Sequence, residues 1–315
     1  MKVKETIVAR GYHKFFNLGE REETKLRNLK EDKINYPLYL TEKANGFLGI
    51  LSVYEHDQDD LRFWVSSKTS LSGDFAKVFN DLIEGYLTDE LKLLLWKNNV
   101  SVLFEVIEPK FDPHIEKYQE PELVILDVVK NIIEFELDDS TYEEVRNLMI
   151  NMYISNKDEL TLVRAAKKAA KISTWSNFNK FLDEVNSKEI LSNDGVEGYV
   201  VKSFSSPEDK SPFMFKIKTE WYKFWKRMRG LKDSVYKKIQ IRVIENPEKA
   251  EEIYGMYVND LKNSIRISDL NENKFLNFLL DLSKKLPNDN DFINLKEIDI
   301  ITLREKFLDN LSPRG

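Results

Sequence analysis

Five short segments of the chain carry lysines, glutamates and glycines suited to chemistry on a nucleotide. Residues 41–46 read TEKANG, so Lys43 is followed three positions later by Gly46. The other four segments, in chain order, are SSKTS at 66–70, LFE at 103–105, VEGYVVK at 196–202 and FKIK at 215–218. Together they provide a nucleophilic amine, further cations for phosphate oxygens and two carboxylates. These are the residue types needed to link AMP to a lysine.

A lysine attacks the α-phosphorus of ATP only as the free amine, whereas its ordinary pKa of about 10.4 keeps it protonated at neutral pH. Neighbouring cations lower a lysine's pKa because they disfavour a second positive charge. We therefore expect Lys68, Lys216 and Lys218 both to activate Lys43 and to hold phosphate oxygens.

Two glutamates in these segments are candidate metal ligands. Glu105 and Glu197 offer the oxygen donors that a hard cation such as Mg²⁺ prefers, and the cation would neutralise charge on the phosphates and the leaving pyrophosphate. Gly46 and Gly198 lack side chains, so each allows the backbone to come close to a nucleotide.

Each segment also has an ordinary interpretation. Lys43 alone is typical of a solvated surface turn, and Glu105 alone of a carboxylate at a strand end. Lys216 and Lys218 alternate with apolar residues, as on the outward face of a half-buried strand. The presence of all five segments, each at the end or on one face of a predicted strand, favours a shared site.

An upstream segment narrows the class of site. Residues 9–20 read ARGYHKFFNLGE, an Arg-x-x-x-Lys-Phe-Phe-Asn run shortly before the lysine motif. With the five segments, it resembles the covalent nucleotidyltransferases and, among them, ATP-dependent RNA ligases of the phage RNA ligase 1 and fungal tRNA-splicing type. The Lys-Ala-Asn-Gly form of the lysine motif looks most like the tRNA-splicing ligases. The resemblance extends from about residue 8 to residue 225.

This resemblance implies the roles of particular residues. Lys43 would be the site of adenylylation, with Lys216 and Lys218 as further catalytic residues. ATP would be the cofactor, with Mg²⁺ or Mn²⁺ bound by Glu197 and Glu105. The residues expected to bind the nucleotide are Arg10, Lys14, Phe16, Glu42, Asn45, Gly46, Lys68, Glu105, Glu197 and Gly198. Relatives usually carry another Arg-Gly element upstream, whereas only nine residues precede Arg10 here.

The implied activity is ATP-dependent joining of RNA 3′-hydroxyl and 5′-phosphate ends, in RNA or tRNA repair or splicing. It proceeds through lysyl-AMP and an adenylylated RNA 5′ end. The alternatives are a DNA ligase, a capping enzyme, or an inactive nucleotidyltransferase fold that binds RNA. The sequence contains no phosphate-binding Gly-x-x-x-x-Gly-Lys-Ser/Thr loop and no paired His-x-Thr motif. End-healing kinase and phosphatase activities are therefore expected either from a partner protein or from a further part of this protein outside this sequence.

The distribution of charge is compatible with an RNA substrate. The chain has 48 Lys and Arg against 54 Asp and Glu, a net charge of −6. Residues 202–242, however, hold twelve Lys or Arg against four acids. Within this stretch the candidates for RNA phosphate contacts are Lys223, Lys226, Arg227 and Arg229. Trp221 and Trp225 are equally compatible with base stacking and with packing inside an amphipathic helix.

Composition excludes several other classes. The chain has no cysteine, so disulfides, a cysteine nucleophile and thiolate metal sites are excluded. No run approaches the roughly 18 apolar residues of a membrane span, and the N-terminus lacks an apolar signal core. We therefore expect a cytoplasmic protein without a membrane partner.

The hydrophobic pattern predicts an α+β protein. The resemblance implies that residues 1–229 form an adenylyltransferase domain of antiparallel sheets with flanking helices, followed by an all-helical C-terminal domain, residues 230–315. The clearest strands are predicted at 34–40, 47–54, 61–65, 100–107, 122–129, 198–203 and 213–217. Helices are predicted at 75–95, 141–153, 158–186, 231–243, 247–262, 272–285 and 295–311.

Overall fold

The computed structural model describes residues 6–30, 34–58, 60–111, 114–187, 189–265, 267 and 269–311. They belong to two compact units. The first unit is drawn from Met1–Asp112, Lys117–Val185 and Val196–Lys218. The second unit is drawn from Pro113–Glu116, Asn186–Gly195 and Thr219–Gly315.

Strands dominate the first unit. Those of the described residues are β1 (Phe16–Asn17), β2 (Leu38–Lys43), β3 (Phe47–Asp57), β4 (Asp60–Ser67), β5 (Val100–Ile107), β6 (Glu122–Lys130), β7 (Leu162–Ala165), β8 (Lys168–Ile172), β9 (Gly198–Ser203) and β10 (Phe213–Lys218). The helices are α1 (Leu26–Asn28), α2 (Asp74–Ile83), α3 (Asp89–Asn98), α4 (Asp139–Ser155) and α5 (Trp175–Ser187), with 3₁₀ turns at Glu22–Thr24 and Glu84–Tyr86.

These strands form two five-stranded sheets. Sheet A has the order β1-β10-β9-β2-β8, and sheet B has the order β4-β3-β5-β6-β7. The pairs β1–β10 and β6–β7 are parallel, and the remaining neighbours are antiparallel. The predicted fold class is therefore confirmed.

The two sheets pack face to face in the middle of the first unit. Leu103 of β5 and Met214 of β10 share one buried cluster between the sheets. Phe79 of α2 belongs to the cluster on the other face of sheet B, and Phe178 of α5 packs on the other face of sheet A. The central strand β5 is buried along its whole length because both of its faces are covered, and its sequence is accordingly apolar apart from Ser101 and Glu105.

The connection from β2 to β3 joins the two sheets. Strand β2 ends in sheet A at Lys43, and β3 begins in sheet B at Phe47. Only residues 44–46 lie between them, so the chain crosses from one sheet to the other within three residues. Lys43 is thereby held at the place where the two sheets meet.

The described part of the second unit is helical. Its helices are α6 (Glu220–Val235), α7 (Ile241–Glu245), α8 (Ala250–Ser264), α9 (Leu270–Ser283) and α10 (Ile300–Leu311), with a π-helical turn at Tyr236–Gln240 and a 3₁₀ turn at Pro247–Lys249. Trp225, Phe275 and Phe307 form the aromatic centre of its core. The fully buried Arg304 donates to the carbonyl of Ile115 over 2.9 Å and lies over the Trp225 ring.

Two of the predicted helices are wrong in part. The stretch 75–95 contains two helices, because the 3₁₀ turn at Glu84–Tyr86 ends the first and Thr88 caps the second. The first half of 158–186 contains the short strands β7 and β8 instead of a helix. Its alanines and lysines favour a helix, but pairing with β6 and β2 overrides that preference.

The division predicted after residue 229 lies inside α6, whereas the compact units divide between Lys218 and Thr219. The extent of the adenylyltransferase domain as a functional unit stays a prediction. None of the helices in the described part of the chain is long and apolar enough to cross a membrane.

Candidate active site

The register of sheet A aligns three of the predicted residues across neighbouring strands. Lys43 at the end of β2 pairs with Gly198 at the start of β9, and Gly198 pairs with Lys218 at the end of β10. Directly opposite residues project to the same face of a sheet. The segments 41–46, 196–202 and 215–218 therefore converge on one edge of sheet A.

Sheet B brings the remaining carboxylate to the same place. The Lys43 Nζ lies 3.4 Å from Glu105 Oε1 of β5 and 3.2 Å from Glu197 Oε2. It also donates to the carbonyl of Ala44 over 3.1 Å. The ammonium group thus contacts one carboxylate from each side of the interface between the sheets.

Glu197 is the most enclosed charge of this group, with 3% of its surface exposed. It contacts Lys218 Nζ at 3.2 Å, and it accepts a hydrogen bond of 2.9 Å from Asn45 Nδ2. Glu105 accepts from the backbone N–H of Gly46 over 3.0 Å. A buried carboxylate is stable only when it is paired in this way, so the Lys-Ala-Asn-Gly segment and the two glutamates form one network.

Both glycines of the predicted site lie against the backbone of a neighbouring strand. A Cβ on Gly46 would lie 2.2 Å from the carbonyl oxygen of Val106, and a Cβ on Gly198 would lie 2.0 Å from that of Ile217. Packing inside the protein therefore requires glycine at both positions. Close approach of a nucleotide, the reason expected from sequence, stays a prediction.

A cavity of about 580 Å³ opens beside Lys43. Its lining includes seven of the predicted residues, namely Lys43 itself with Lys14, Phe16, Glu42, Lys68, Glu105 and Lys216. This volume is in the range of small-molecule sites, which is about 300–1,000 Å³. Cationic, aromatic and carboxylate side chains line one cavity, a combination suited to a nucleotide.

The Lys-Phe-Phe-Asn run forms part of the cavity wall. Lys14 Nζ lies 5.1 Å from the centre of the Phe16 ring, and Lys216 Nζ lies 4.6 Å from that of Phe15. The parallel pairing of β1 with β10 places Phe16 beside Phe215 and so fixes the run against sheet A. Aromatic rings beside cations can hold a base and its phosphates together.

Burial lowers the pKa of Lys216, and the nearby ammonium groups of Lys43 and Lys218 lower it further. Lys68 contributes in the same direction, while the Glu20 carboxylate opposes the shift. The four lysines therefore share one electrostatic environment. Activation of Lys43 by its neighbours, as expected from the sequence, stays a prediction.

Three residues of the cavity wall, none of them among the predicted site residues, form a network of their own. Lys202 of β9 forms an ion pair with Asp127 of β6, and the Tyr12 hydroxyl donates to the same carboxylate. Burial raises the pKa of Tyr12 well above its ordinary value, and the Asp127 charge adds to this shift. One signal was available in the sequence, because Asp127 interrupts the apolar run LVILDVV at 123–129.

Two of the predicted nucleotide-binding residues have contacts elsewhere. The Arg10 guanidinium donates to the carbonyls of Ile132 and Ile133. Glu42 reaches the cavity but also pairs with Lys167, whose Nζ lies 2.9 Å from Glu42 Oε1.

The predicted RNA-binding cations lie in the second unit, along helix α6. Lys223, Lys226 and Arg227 are exposed, and Arg229 is half-buried. Lys223 pairs with Glu220 at 2.7 Å, and Arg227 pairs with Glu272 at 2.6 Å.

The aromatic residues of this helix face inward. Trp221 is 2% exposed and Trp225 is fully buried. Their indole N–H groups donate to the carbonyls of Ser192 and Ile190, each over 3.0 Å. Base stacking on these two residues is therefore excluded, and the amphipathic-helix alternative is confirmed.

The carboxylates of the site fit a cation that arrives with a nucleotide. Within the described ranges, no cluster of three or more His, Asp or Glu side chains is arranged for a metal. Mg²⁺ is commonly held by one or two carboxylates together with substrate phosphates. Glu105 and Glu197 both approach Lys43 and provide two such carboxylates.

Comparison with known proteins identifies the family. A family model for RNA ligase, of the phage T4 RNA ligase 1 type, matches residues 1–222. The chain belongs to this RNA ligase family, and the resemblance inferred from its motifs is confirmed.

A relative from Thermovibrio ammonificans, named "Putative RNA ligase", is 26% identical over 223 residues. The match covers 69% of this chain and 48% of that protein. The chain thus spans about half the length of this curated relative.

Two solved structures share a lower similarity. An RNA ligase of Naegleria gruberi with pyrophosphate is 12% identical, with 70% of this chain and 60% of that chain covered and a TM-score of 0.43. A protein of Aquifex aeolicus, named "Putative ATP-dependent DNA ligase", is 18% identical. The match covers 87% of this chain and 64% of that chain, with a TM-score of 0.43. Similarities at this level support no argument about the present chain.

Proposed function

We propose that this chain is the adenylyltransferase part of an ATP-dependent RNA ligase, with Lys43 as the nucleophile. One observation carries the proposal. The Lys43 ammonium lies between the Glu105 and Glu197 carboxylates, beside a cavity of about 580 Å³ lined by Lys14 and Phe16. Membership of the RNA ligase family supports RNA as the substrate.

In the first step, the free amine of Lys43 attacks the α-phosphorus of ATP. A nitrogen–phosphorus bond forms, the bond between the α-phosphorus and the bridging oxygen breaks, and pyrophosphate leaves. Lys216 and Lys68 line the cavity, and Lys218 reaches the edge of the site through Glu197, so all three are suited to hold the phosphates. A divalent cation bound by Glu105 and Glu197 would neutralise the charge that develops on the leaving group.

Two transfers to RNA follow. A 5′-phosphate oxygen attacks the phosphorus of lysyl-AMP, which frees Lys43 and leaves AMP joined to the RNA through a pyrophosphate bond. A 3′-hydroxyl then attacks the 5′-phosphate, AMP departs and a phosphodiester forms. Positioning and electrostatic stabilisation supply most of the acceleration of such transfers, which is why lysines outnumber acid–base groups in this cavity.

The biological setting that we propose is repair or splicing of RNA, including tRNA. The Lys-Ala-Asn-Gly form of the lysine motif supports this setting by its resemblance to the tRNA-splicing ligases. A partner protein would heal the ends through kinase and phosphatase activities. The exposed Lys223, Lys226 and Arg227 of α6 are suited to contact RNA phosphates.

The test is incubation with α-labelled ATP and Mg²⁺, followed by denaturing electrophoresis. We expect a labelled band from the wild type and none from Lys43→Ala, while the exposed-lysine control Lys77→Ala labels as the wild type does. Labelling by GTP would point instead to a capping enzyme, and sealing of DNA in preference to RNA would point to a DNA ligase. Absence of label from folded protein freed of AMP would contradict the proposal.

A further inference from the structure

Next to the cavity, sheet A presents an aromatic residue that the proposed chemistry does not use. Tyr39 of β2 is 42% exposed, although β2 is paired on both sides, with β9 and with β8. Side chains alternate along a strand, so Tyr39 is on the same face as Thr41 and Lys43, which line the cavity. The exposed ring therefore continues the wall of the cavity along the sheet.

Register and charge connect Tyr39 to the site. Across the sheet, Tyr39 is directly opposite Lys202 of β9 and Lys171 of β8. Lys202 lines the cavity and is held there by the buried Asp127. Lys171 is exposed, and its Nζ lies 5.4 Å from the centre of the Tyr39 ring. Each neighbouring strand thus places a lysine opposite Tyr39, and of the two it is the exposed Lys171 that is suited to a phosphate.

The ring is also supported from beneath. Phe204 meets it edge to face, with ring centres 5.7 Å apart and an interplanar angle of 80°. Phe204 is itself half-buried against the core between the sheets, where Met214 lies. We call Tyr39, Phe204, Lys171 and Lys202 the Tyr39 platform. A supported aromatic ring flanked by lysines is the arrangement on which single-stranded nucleic acids stack their bases.

We propose that the Tyr39 platform stacks a base of the RNA strand whose end reacts at Lys43, an inference that rests on the proposed function. The two residues are four positions apart on one strand, which corresponds to about 13 Å. A strand whose terminal phosphate lies at Lys43 therefore reaches the platform within its first few nucleotides. Lys171 covers the ring in the free protein and moves to a phosphate when the base stacks.

The experiment measures binding of a short, 5′-phosphorylated, single-stranded RNA by fluorescence anisotropy, with lysyl-AMP formation followed in parallel. Tyr39→Ala is expected to weaken binding about tenfold, because stacking on one aromatic side chain contributes on that order. Tyr39→Phe keeps the ring and binds within about twofold of the wild type. The matched control is Trp96→Ala, which removes an equally exposed aromatic from α3.

An abasic scan of the RNA tests the same contact without relying on one variant. Removing a single base near the 5′ end should weaken RNA binding by the wild type about tenfold. The same removal should leave RNA binding by Tyr39→Ala unchanged. Equal losses in the two proteins, or no loss at any position, would overturn the proposal. If Tyr39→Ala does not fold, Tyr39→Leu replaces it, because leucine also removes the ring and should likewise abolish the cost of removing the base. Wild-type protein that binds RNA through the platform but forms no lysyl-AMP would refute only the proposed function.

Discussion

Replacing Gly198 with alanine should disturb both the stability and the chemistry of the first unit. The added Cβ would lie 2.0 Å from the carbonyl oxygen of Ile217 and 3.0 Å from the Cα of Lys218. Ordinary carbon–oxygen contacts are about 3.3 Å or longer, so β9 and β10 must separate by about 1 Å. All the crowded atoms belong to the backbone, and no change of rotamer relieves them.

The expected loss of stability follows from that geometry. Overpacking of a core typically costs about 1–3 kcal/mol, and a backbone clash belongs at the upper end. A loss of about 3 kcal/mol lowers Tm by roughly 6–12 °C for a unit of this size. The same shift moves Lys218 and Glu197, and a misplacement of about 1 Å can slow a reaction about 100-fold.

Thermal unfolding and AMP labelling measure the two effects separately. The matched control is Gly230→Ala in α6, where a Cβ would meet nothing within 4 Å. There alanine favours the helix by up to about 1 kcal/mol, so stability should hold or rise. A Gly198→Ala protein with wild-type Tm and wild-type labelling would refute the reasoning.

Three further predictions concern the Lys202–Asp127 pair, Lys216 and helix α6. Lys202→Met should lower the free energy of unfolding by about 3 kcal/mol, since it leaves the Asp127 carboxylate buried without its cation; adding Asp127→Leu should restore much of it. The pKa of Lys216 is lowered, so the unfolded chain binds more protons between that pKa and 10.5. Denaturant titrations should therefore show wild-type stability, relative to Lys216→Met, rising with pH across that window. Trp225→Ala should lower the free energy of unfolding by about 3–5 kcal/mol, because it empties a buried site. Lys226→Ala should leave stability unchanged, and the salt dependence of its RNA binding should fall by the amount expected for roughly one lost phosphate contact.

Each of these has an outcome that would contradict it. Equal stability of Lys202→Met and the wild type would mean that the buried pair is not needed to hold Asp127. If the stability of Lys216→Met changed with pH in parallel with that of the wild type, Lys216 would not contribute to the pH dependence of stability. An unchanged salt slope in Lys226→Ala would place the RNA elsewhere than on α6.

Much of the first unit was predictable because its signals are local. The strands at Val100–Ile107 and Gly198–Ser203 were predicted at their observed bounds, since both combine β-branched or aromatic residues with clear boundaries. The sequence predicted that Lys43, Glu105 and Glu197 share a site, because their segments carry the residue types that nucleotide transfer needs and occur in a fixed order. The geometry of the site could not be predicted from the sequence, because it depends on the connection between β2 and β3, which crosses from one sheet to the other.

Other features depend on contacts between residues distant in sequence. The strand β8 resembles a helix in composition and becomes a strand only by pairing with β2. Trp221 and Trp225 interleave with lysines, and only the packing of the second unit shows that their rings face inward. The link from Tyr12 through Asp127 to Lys202 spans three separate segments, so the sequence could mark Asp127 as unusual but could not identify its two partners.

The central claim is that Lys43 carries AMP, and peptide mass spectrometry after incubation with ATP and a divalent cation tests it most directly. Digestion under conditions that preserve a phosphoramidate would yield the peptide containing residues 41–46. We predict an AMP adduct on Lys43 in the wild type and no adduct on any lysine of Lys43→Arg. An adduct on Lys14 or Lys216, or its persistence in Lys43→Arg, would contradict the assignment of the nucleophile.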